Sequence, residues 1–312
     1  MNNNYFLDKA KKNQADEFYT CLPEIEKELQ YYTQYLCNKT IYMPCDTEKS
    51  NFVKYFKDNF SNLQLKEIIA TSYVKRDLFN IPFNPIYNYY SYTGEKETRA
   101  FLTGDGSFDS KECIAIMKKA DVIITNPPFS RFRHFVQLLL SLQKDFLIIG
   151  NLNSIITKNI ARDIIKGNLR LGYTEPQLFY IPKEYVNFFN KKLSKKFNSQ
   201  TNIVRLTFCV WLTNLPVQRE RFIPKLNQHF NDTYKTYDNA KHIIHIEDIH
   251  QIPIDYYGYL AVPITYLKKH NPNDFNLIQI NNKDFSDNFI LNGKIMYKRI
   301  VIQKIKEYGE NV

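Results

Sequence analysis

Short apolar strands alternate with amphipathic helices in the first half of the chain, and this alternation constrains the fold more than any other feature. The predicted strands are Thr40–Cys45, Lys66–Thr71, Thr98–Leu102, Asp121–Thr125 and Asp145–Gly150. Helical spacing of apolar residues predicts the helices Leu22–Leu36, Ser50–Phe60, Ser110–Lys119 and Ser130–Leu142. This short rhythm predicts an α/β fold with a mostly parallel sheet and helices on both faces. Ligands of such sheets bind outside the carboxyl ends of the strands, so residues just after strands are the site candidates.

The second half of the chain has a weaker pattern. We predict a helix over Thr157–Lys166, a strand over Ile203–Leu212 and short β segments from His242 onward. The aromatic stretch Ser72–Glu97 is predicted to be irregular, since two prolines and a glycine interrupt it. We expect residues 1–182 to form the cofactor-binding and catalytic core. Residues 183–312 are expected to hold the remaining core strands and a target-recognition region.

The charge balance favours a polyanionic partner. The chain carries 42 Lys and Arg against 32 Asp and Glu, a formal net charge of +10, and cations placed on phosphates release counterions. A Lys-rich composition without such a partner is the alternative. Five cysteines without a CxxC pair argue against a disulfide framework or a zinc ribbon. The polar N-terminus and the absence of a long apolar segment predict a cytoplasmic protein, which we expect to be a monomer.

Four residues directly after the strand Asp121–Thr125 carry the strongest chemical signal: Asn126, Pro127, Pro128 and Phe129. Pro fixes φ and donates no hydrogen bond, so the corner is rigid. The Asn126 side-chain oxygen and the Pro127 carbonyl are then two acceptors for a planar NH2 group, and Phe129 offers a face for a flipped base. The alternative is a Pro-Pro turn with an Asn cap and a buried Phe.

At this point the sequence resembles the EcoRI-type adenine-specific DNA methyltransferase family. The resemblance runs along nearly the whole chain, through DEFYT (16–20), MPCDTEKSNFVKYF (43–56), LTGDGSFDS (102–110), ADVIITNPPFSRFRHFV (120–136), FLIIGNLNSI (146–155), WLTN (211–214) and GYLAVPITYLKKHNP (258–272). It implies a class I S-adenosylmethionine-dependent methyltransferase, Rossmann-like, with a C-terminal target-recognition portion. It also implies that Tyr19 and Thr20 belong to the N-terminal cofactor segment.

A cofactor pocket is predicted where the first strand turns into the next helix. Pro44, Cys45 and Asp46 follow the strand, and the helix opens with Ser50, Asn51 and Phe52. Asp46 is the candidate for the methionine ammonium, and Ser50 or Asn51 for its carboxylate. The usual glycine-rich turn is absent, and Asp46 as an ordinary helix cap is the alternative.

A second cofactor contact is predicted at the Asp105-Gly106 turn. Asp105 is placed to accept from the amine of the cofactor's adenine, with Phe108 stacking nearby. A simple Asp-Gly turn is the alternative. The second strand ends in Ala70-Thr71-Ser72 without an acid, so the sequence assigns no ribose ligand.

Two charged groups remain to be interpreted. We predict that the cluster Lys191, Lys192, Lys195 and Lys196 contacts DNA phosphates, with a solvated basic face as the alternative. We expect no metal site in HIIHIEDIH (242–250), because methyl transfer from a sulfonium needs no metal.

The sequence thus predicts methylation of adenine N6 in a specific duplex DNA site, with the base flipped out of the helix. The enzyme would act alone or beside a separate restriction endonuclease. Methylation of RNA or of a protein glutamine amide is one alternative, and a catalytically silent DNA-binding protein is another.

Overall fold

The computed structural model describes residues 18–74, 87–181, 197–198, 200–219, 226–281 and 288–306. The strands are β1 Tyr19–Thr20, β2 Thr40–Met43, β3 Glu67–Thr71, β4 Tyr89–Tyr92, β5 Glu97–Ala100, β6 Val122–Thr125, β7 Asp145–Asn151, β8 Arg170–Leu171, β9 Leu178–Tyr180, β10 Phe197–Asn198, β11 Ile203–Arg205, β12 Cys209–Thr213, β13 Thr236–Tyr237, β14 Ala240–His245, β15 Tyr259–Pro263, β16 Phe275–Asn281, β17 Phe289–Leu291, β18 Lys294–Met296 and β19 Arg299–Lys304. The α-helices are α1 Leu22–Leu29, α2 Thr33–Leu36, α3 Asn51–Asp58, α4 Lys111–Lys119, α5 Phe132–Ser141, α6 Leu152–Ile155 and α7 Lys158–Ile165, and 3₁₀ turns cover Phe129–Arg131, Ile249–Gln251 and Ile264–Lys268.

The chain divides into two compact units. Unit 1 comprises Met1–Ser154 and Gly172–Leu215, and unit 2 comprises Ile155–Leu171 and Pro216–Val312. These bounds differ from the division between residues 182 and 183 that the sequence predicts. The assignment of catalysis to one part and target recognition to the other stays a prediction. None of the helices in the described ranges has the length and hydropathy that a membrane crossing needs.

The main sheet of unit 1 places strands β2 and β6 next to each other. Its strands within unit 1 have the order β5-β4-β3-β2-β6-β7-β12, and β3, β2, β6 and β7 run parallel to one another. The chain passes from β2 to β3 on one side and then crosses to β6 on the other side of β2. The carboxyl ends of β2 and β6 therefore flank a switch point, where α/β sheets bind ligands.

The sheet is mixed, so the expectation of a mostly parallel sheet was wrong at both ends. Strands β4 and β5 form an antiparallel hairpin against β3, and β12 runs antiparallel to β7. The short connection between Tyr92 and Glu97 permits only a hairpin, because a parallel pairing needs a long crossover. The predicted strand Thr98–Leu102 is thus the edge of this hairpin, and Tyr89–Tyr92, predicted to be irregular, is its inner strand.

Two predicted elements are interrupted by tertiary contacts. The helix predicted over Leu22–Leu36 ends at Leu29 and resumes at Thr33, where Tyr31 stacks on Tyr173 with ring centroids 4.2 Å apart. The strand predicted over Ile203–Leu212 is two strands: β11 joins a small antiparallel sheet of order β1-β9-β11-β10, whereas β12 joins the main sheet. Both runs keep their apolar character across the break, so periodicity alone does not mark it.

The helices beside the switch point begin at side-chain caps. Ser50 Oγ accepts a hydrogen bond from Val53 N at the start of α3, and Ser110 Oγ accepts from Cys113 N at the start of α4. Each cap satisfies one of the amides that a helix N-terminus leaves without a partner. The caps fix where the loops that follow β2 and precede α4 must end.

A buried carboxylate attaches α1 to the segment that precedes β9. Glu28 is fully buried and accepts hydrogen bonds from Tyr173 N at 2.7 Å and from Thr174 N at 2.6 Å. Tyr32 Oη and Thr174 Oγ1 donate to the same carboxylate. Burial raises the pKa of Glu28, and these hydrogen bonds oppose that rise. A buried carboxylate is tolerated only when it is satisfied in this way.

Unit 2 is built on a sheet of order β13-β14-β15-β19-β16. Strands β14 and β15 are parallel, whereas β19 runs antiparallel to β15 and β16. The short β segments predicted from His242 onward are present, although 260–267 divides into β15 and a 3₁₀ turn. Its core cluster contains Tyr237, Ile243, Ala261, Phe289 and Val301.

Candidate active site

A cavity of about 630 Å³ lies in unit 1 at the carboxyl ends of β2 and β6. Every residue predicted from the sequence to form the catalytic motif or the cofactor pocket lines this cavity. The sequence analysis did not single out the other lining residues, which are Phe18, Thr47, Ser72, Tyr73, Ser107, Ser130 and Arg131. The topology therefore brings together segments that are more than 100 residues apart in the chain.

The side-chain amide of Asn126 is held through its nitrogen, whereas its oxygen has no donor among the described residues. Asn126 Nδ2 donates to Phe18 O at 2.5 Å and lies 3.3 Å from Thr20 Oγ1. Its Oδ1 is buried and accepts no hydrogen bond from any residue that the structure describes. A buried acceptor without a donor costs about 1–3 kcal/mol, so such an atom in a cavity wall is suited to a ligand that donates.

Phe129 stands at the same corner and packs on the N-terminal segment. Its side chain is buried, and its ring lies 5.8 Å from that of Phe18 at an interplanar angle of 27°. Phe18 in turn makes an edge contact with Phe179 of β9. The corner predicted for Asn126–Phe129 therefore packs against Phe18, which was not predicted from the sequence.

Asp46 joins the ends of the two parallel strands at the switch point. Its Oδ2 accepts a hydrogen bond from Thr125 Oγ1 at 2.6 Å, and its backbone N donates to Thr71 O. Burial raises the pKa of the Asp46 carboxyl to about 7, although hydrogen bonds with Thr125 and Ser50 oppose the rise. A cation placed beside it would favour the carboxylate, so the position suits an ammonium group.

The residues that open α3 have partners within the protein. Ser50 caps the helix, as described above, and Asn51 Nδ2 donates to Thr20 O at 2.8 Å. The amide of Asn51 thus ties the start of α3 to β1. Thr20 is buried, with 3% of its surface exposed, so its carbonyl needs this donor.

The Asp105-Gly106 turn closes another wall of the cavity. Asp105 Oδ1 accepts from Ser107 N at 2.9 Å, which is the side-chain hydrogen bond of an Asx turn. Gly106 has φ +76°, and a Cβ there would lie 2.1 Å from Ser72 O. The backbone of this wall therefore approaches β3 as closely as only glycine permits. The Asx turn is therefore present, and the cofactor contact of Asp105 stays a prediction.

The ring of Phe108 has both an aromatic ring and a guanidinium group as neighbours. Its side chain is buried and packs edge-on against Phe135 at 4.8 Å. The guanidinium of Arg131 lies 4.5 Å from the Phe108 ring centroid, and it also forms an ion pair with Asp109. Arg131 follows the predicted catalytic motif by two residues, and this proximity is the only sequence signal that points to it.

The predicted DNA-binding lysines Lys191, Lys192, Lys195 and Lys196 lie outside the described residues.

In unit 2, His245 Nδ1 is 2.7 Å from Tyr237 Oη. Within the described ranges, no three His, Cys, Asp or Glu side chains are grouped as metal ligands would be.

Comparison with known proteins identifies relatives over almost the full length. Residues 6–309 match the model of a family described as adenine-specific methyltransferase EcoRI. The chain is 38% identical to the type II methyltransferase M.EcoRI of Escherichia coli over an alignment of 322 positions, gaps included, that covers 96% of each chain. It is 32% identical to the type II methyltransferase M.MgeORF184P of Mycoplasma genitalium over 96% of this chain and 99% of the relative. For M.MpnI of Mycoplasma pneumoniae the identity is 30%, over 88% of this chain and 85% of the relative. No solved structure matches the chain significantly.

Proposed function

The chain belongs to the family of the adenine-specific methyltransferase EcoRI, and for this DNA methyltransferase we propose a detailed reaction. A methyl group passes from S-adenosylmethionine to the exocyclic N6 of an adenine in duplex DNA. The membership confirms the family inferred from the sequence motifs. The finer features proposed here are the class I fold, the cofactor, the flipped base and the roles of the cavity residues.

The observation that carries the proposal is the buried Oδ1 of Asn126. No described residue donates to it, whereas Nδ2 is engaged by Phe18 O and Thr20 Oγ1. The N6 amine of adenine is a planar donor whose lone pair is delocalised into the ring. A hydrogen bond to Oδ1 would hold that amine at the cavity wall. It would also stabilise the positive charge that develops on nitrogen, so its contribution belongs mainly to the transition state.

The cavity residues fit the proposed cofactor. When bound, S-adenosylmethionine would supply a methyl group whose bond to sulfur breaks as the bond to N6 forms; the sulfonium becomes a neutral thioether, and the surplus proton on N6 passes to solvent. Asp46, whose carboxyl is buried, would hold the ammonium of the methionine part, and the capped start of α3 would face its carboxylate. We propose that Phe108 and the Asp105-Gly106 wall hold the adenosine part, and that Tyr19, Pro44, Cys45 and Phe52 complete the pocket.

The adenine must leave the duplex to reach Asn126, because N6 is otherwise inside the base stack. We propose that Phe129 stacks on the extruded base and that Pro127 and Pro128 keep the corner rigid. Proximity and orientation of the two reactants then account for most of the rate enhancement.

The antiparallel β12 beside the parallel strands supports the class I assignment. We further propose that the enzyme acts in the cytoplasm as a monomer, separately from any cognate restriction endonuclease.

The proposal is tested by offering radiolabelled S-adenosylmethionine with duplex DNA, RNA and unrelated protein to the purified chain. We expect label in DNA, recovered as N6-methyladenine after digestion and mass spectrometry. Label in RNA, in protein or on cytosine would contradict the assignment. Absence of label from all three substrates, with intact cofactor binding, would favour a silent DNA-binding protein.

Replacing Asn126 tests the site itself. Asn126→Ala is expected to lower the single-turnover rate at least 100-fold, the scale of losing one preorganised transition-state hydrogen bond. Cofactor and DNA affinity should persist, since the mutation leaves Asp46 in place. Near-normal methylation by this variant would remove Asn126 from the mechanism.

A further inference from the structure

The segment at the two-residue strand β1 holds one end of the Asn126 side-chain amide. Phe18 O, just before β1, accepts from Asn126 Nδ2 at 2.5 Å, and Thr20 Oγ1 lies 3.3 Å from the same nitrogen. A side-chain amide has two similar ends, and its hydrogen-bond partners decide between them. A backbone carbonyl can only accept. A flipped Asn126 would therefore place its Oδ1 against Phe18 O, where two acceptors repel each other, and its Nδ2 would take the position that Oδ1 now has.

The position of β1 is fixed from two sides. On one side, Asn51 Nδ2 donates to Thr20 O at 2.8 Å. On the other, Tyr19 and Thr20 pair with Tyr180 and Phe179 of β9, and Cys21 N donates to Leu178 O at 3.1 Å. A change in any of these contacts moves the acceptors that hold Asn126.

We propose that Thr20 and Asn51 are positioning residues that act through Asn126. Thr20 supplies an acceptor for Nδ2, and Asn51 fixes the carbonyl of Thr20. Together they keep Oδ1 directed at the amine to be methylated. In this role they act on the catalytic amide and are not direct ligands of the cofactor. The inference rests on the proposed function of Asn126.

The first test compares Thr20→Val with Thr20→Ser. Valine keeps the shape but removes the hydroxyl, and serine keeps the hydroxyl. Loss of one neutral hydrogen bond corresponds to roughly a 5-fold effect. Thr20→Val is thus expected to lower the single-turnover rate at saturating cofactor about 5-fold, with an unchanged Kd for S-adenosylmethionine. Thr20→Ser should recover most of the rate. Thr93→Val, the same change at an exposed residue outside the cavity, is the matched control.

Asn51→Asp adds an independent arm. The carboxylate cannot donate to Thr20 O and would repel it, so the rate should fall further than in Thr20→Val. A Kd for S-adenosylmethionine that rises in either variant while the saturated rate stays at the wild-type value would overturn the proposal. That result would make these residues cofactor ligands.

A readout without catalysis separates this inference from the proposed function. In protein labelled with ¹⁵N-asparagine, the side-chain amide signals of Asn126 are identified by their loss in Asn126→Ala. We expect Thr20→Val to shift them and Thr93→Val to leave them in place. If the wild-type protein methylates no adenine, the proposed function fails, yet the amide signals still test the contact. Signals that are identical in Thr20→Val and in the wild-type protein overturn the positioning role.

Discussion

Single residues at the ends of β2 and β6 carry most of the chemistry that we propose for the cavity. Asp46 and Asn126 belong to neighbouring strands, and Thr125, the residue before Asn126, donates to Asp46 at 2.6 Å. The proposed cofactor ligand and the proposed substrate ligand are therefore linked through one hydroxyl group. This linkage makes the protonation state of Asp46 relevant to the whole site.

The raised pKa of Asp46, about 7 against an ordinary 3.8, predicts a pH dependence of cofactor binding. An ammonium needs the carboxylate, so S-adenosylmethionine affinity should fall as the pH drops through 7, approaching tenfold per pH unit well below it. Binding near neutral pH should release a proton. Calorimetry in buffers of different ionisation enthalpy measures both effects.

Asp46→Asn is the matched variant, since it keeps the shape and removes the titration. It should bind the cofactor more weakly by about 1–3 kcal/mol, without the pH dependence. The raised pKa of Asp46 also makes the free energy of unfolding depend on pH. Because the folded-state pKa is raised, stability contributed by protonated Asp46 is present below about pH 4 and is lost as the pH rises through about 7. A pH-independent Kd in the wild-type protein would remove Asp46 from the cofactor site.

Phe129 is expected to capture the extruded base. Phe129→Ala should leave cofactor binding intact but reduce base capture, because stacking on an aromatic is worth about 1–3 kcal/mol per base. It also removes the ring that packs on Phe18. Phe129→Tyr or Phe129→Trp should recover much of the activity. The measurement is 2-aminopurine fluorescence at the target position beside single-turnover methylation. A flipping signal unchanged by Phe129→Ala would move the role to another aromatic, and Tyr73, exposed at the cavity wall, is the first candidate.

Among the elements, the turn after β5 is expected to be the least tolerant of substitution. Gly106→Ala places a Cβ against Ser72 O in addition to the left-handed backbone, and should cost about 2–4 kcal/mol of unfolding free energy. Gly167→Ala has a similar φ of +73° but no atom within 4 Å of the new Cβ. It should cost only about 1 kcal/mol. Urea denaturation of both variants measures the difference. Equal losses would show that Ser72 gives way easily.

Elements whose pattern is local were predictable from the sequence, and elements defined by partners were not. The observed strand before Asn126 and the observed helix after Ser110 match their predictions closely. The apolar residues that are buried and the serine that caps the helix lie next to one another in the sequence. The inner strand Tyr89–Tyr92 was missed although its partner strand was predicted, because its pairing with Glu97–Ala100 depends on the turn between them. The cavity followed from motifs placed after strands. Phe18 and Arg131 belong to it through contacts that no spacing in the sequence reveals.

For the molecule as a whole, the net charge of +10 predicts a salt-dependent association with DNA. The four lysines between 191 and 196 remain the predicted phosphate contacts. Neutralising them should weaken binding on every sequence and reduce the slope of log affinity against log salt by about 0.9 for each phosphate that no longer has a lysine beside it. Lys27, Lys54, Lys118 and Lys119 provide a control with the same change in charge. If both sets reduce the slope equally, the effect is one of net charge and not of a DNA-binding surface.

The pairing of β1 with β9 also has a consequence for biosynthesis. Tyr19 leaves the ribosome early, whereas its partner Tyr180 follows after most of unit 1 has been made. At about 5–20 residues per second, translation needs on the order of ten seconds to supply that partner. Nascent chains and fragments that end before β9 contain Asp46 and Asn126 but lack the strand on which β1 docks. We therefore expect the methyl-transfer activity to be acquired late in synthesis, when the first described strand pairs with one of the last strands of its unit.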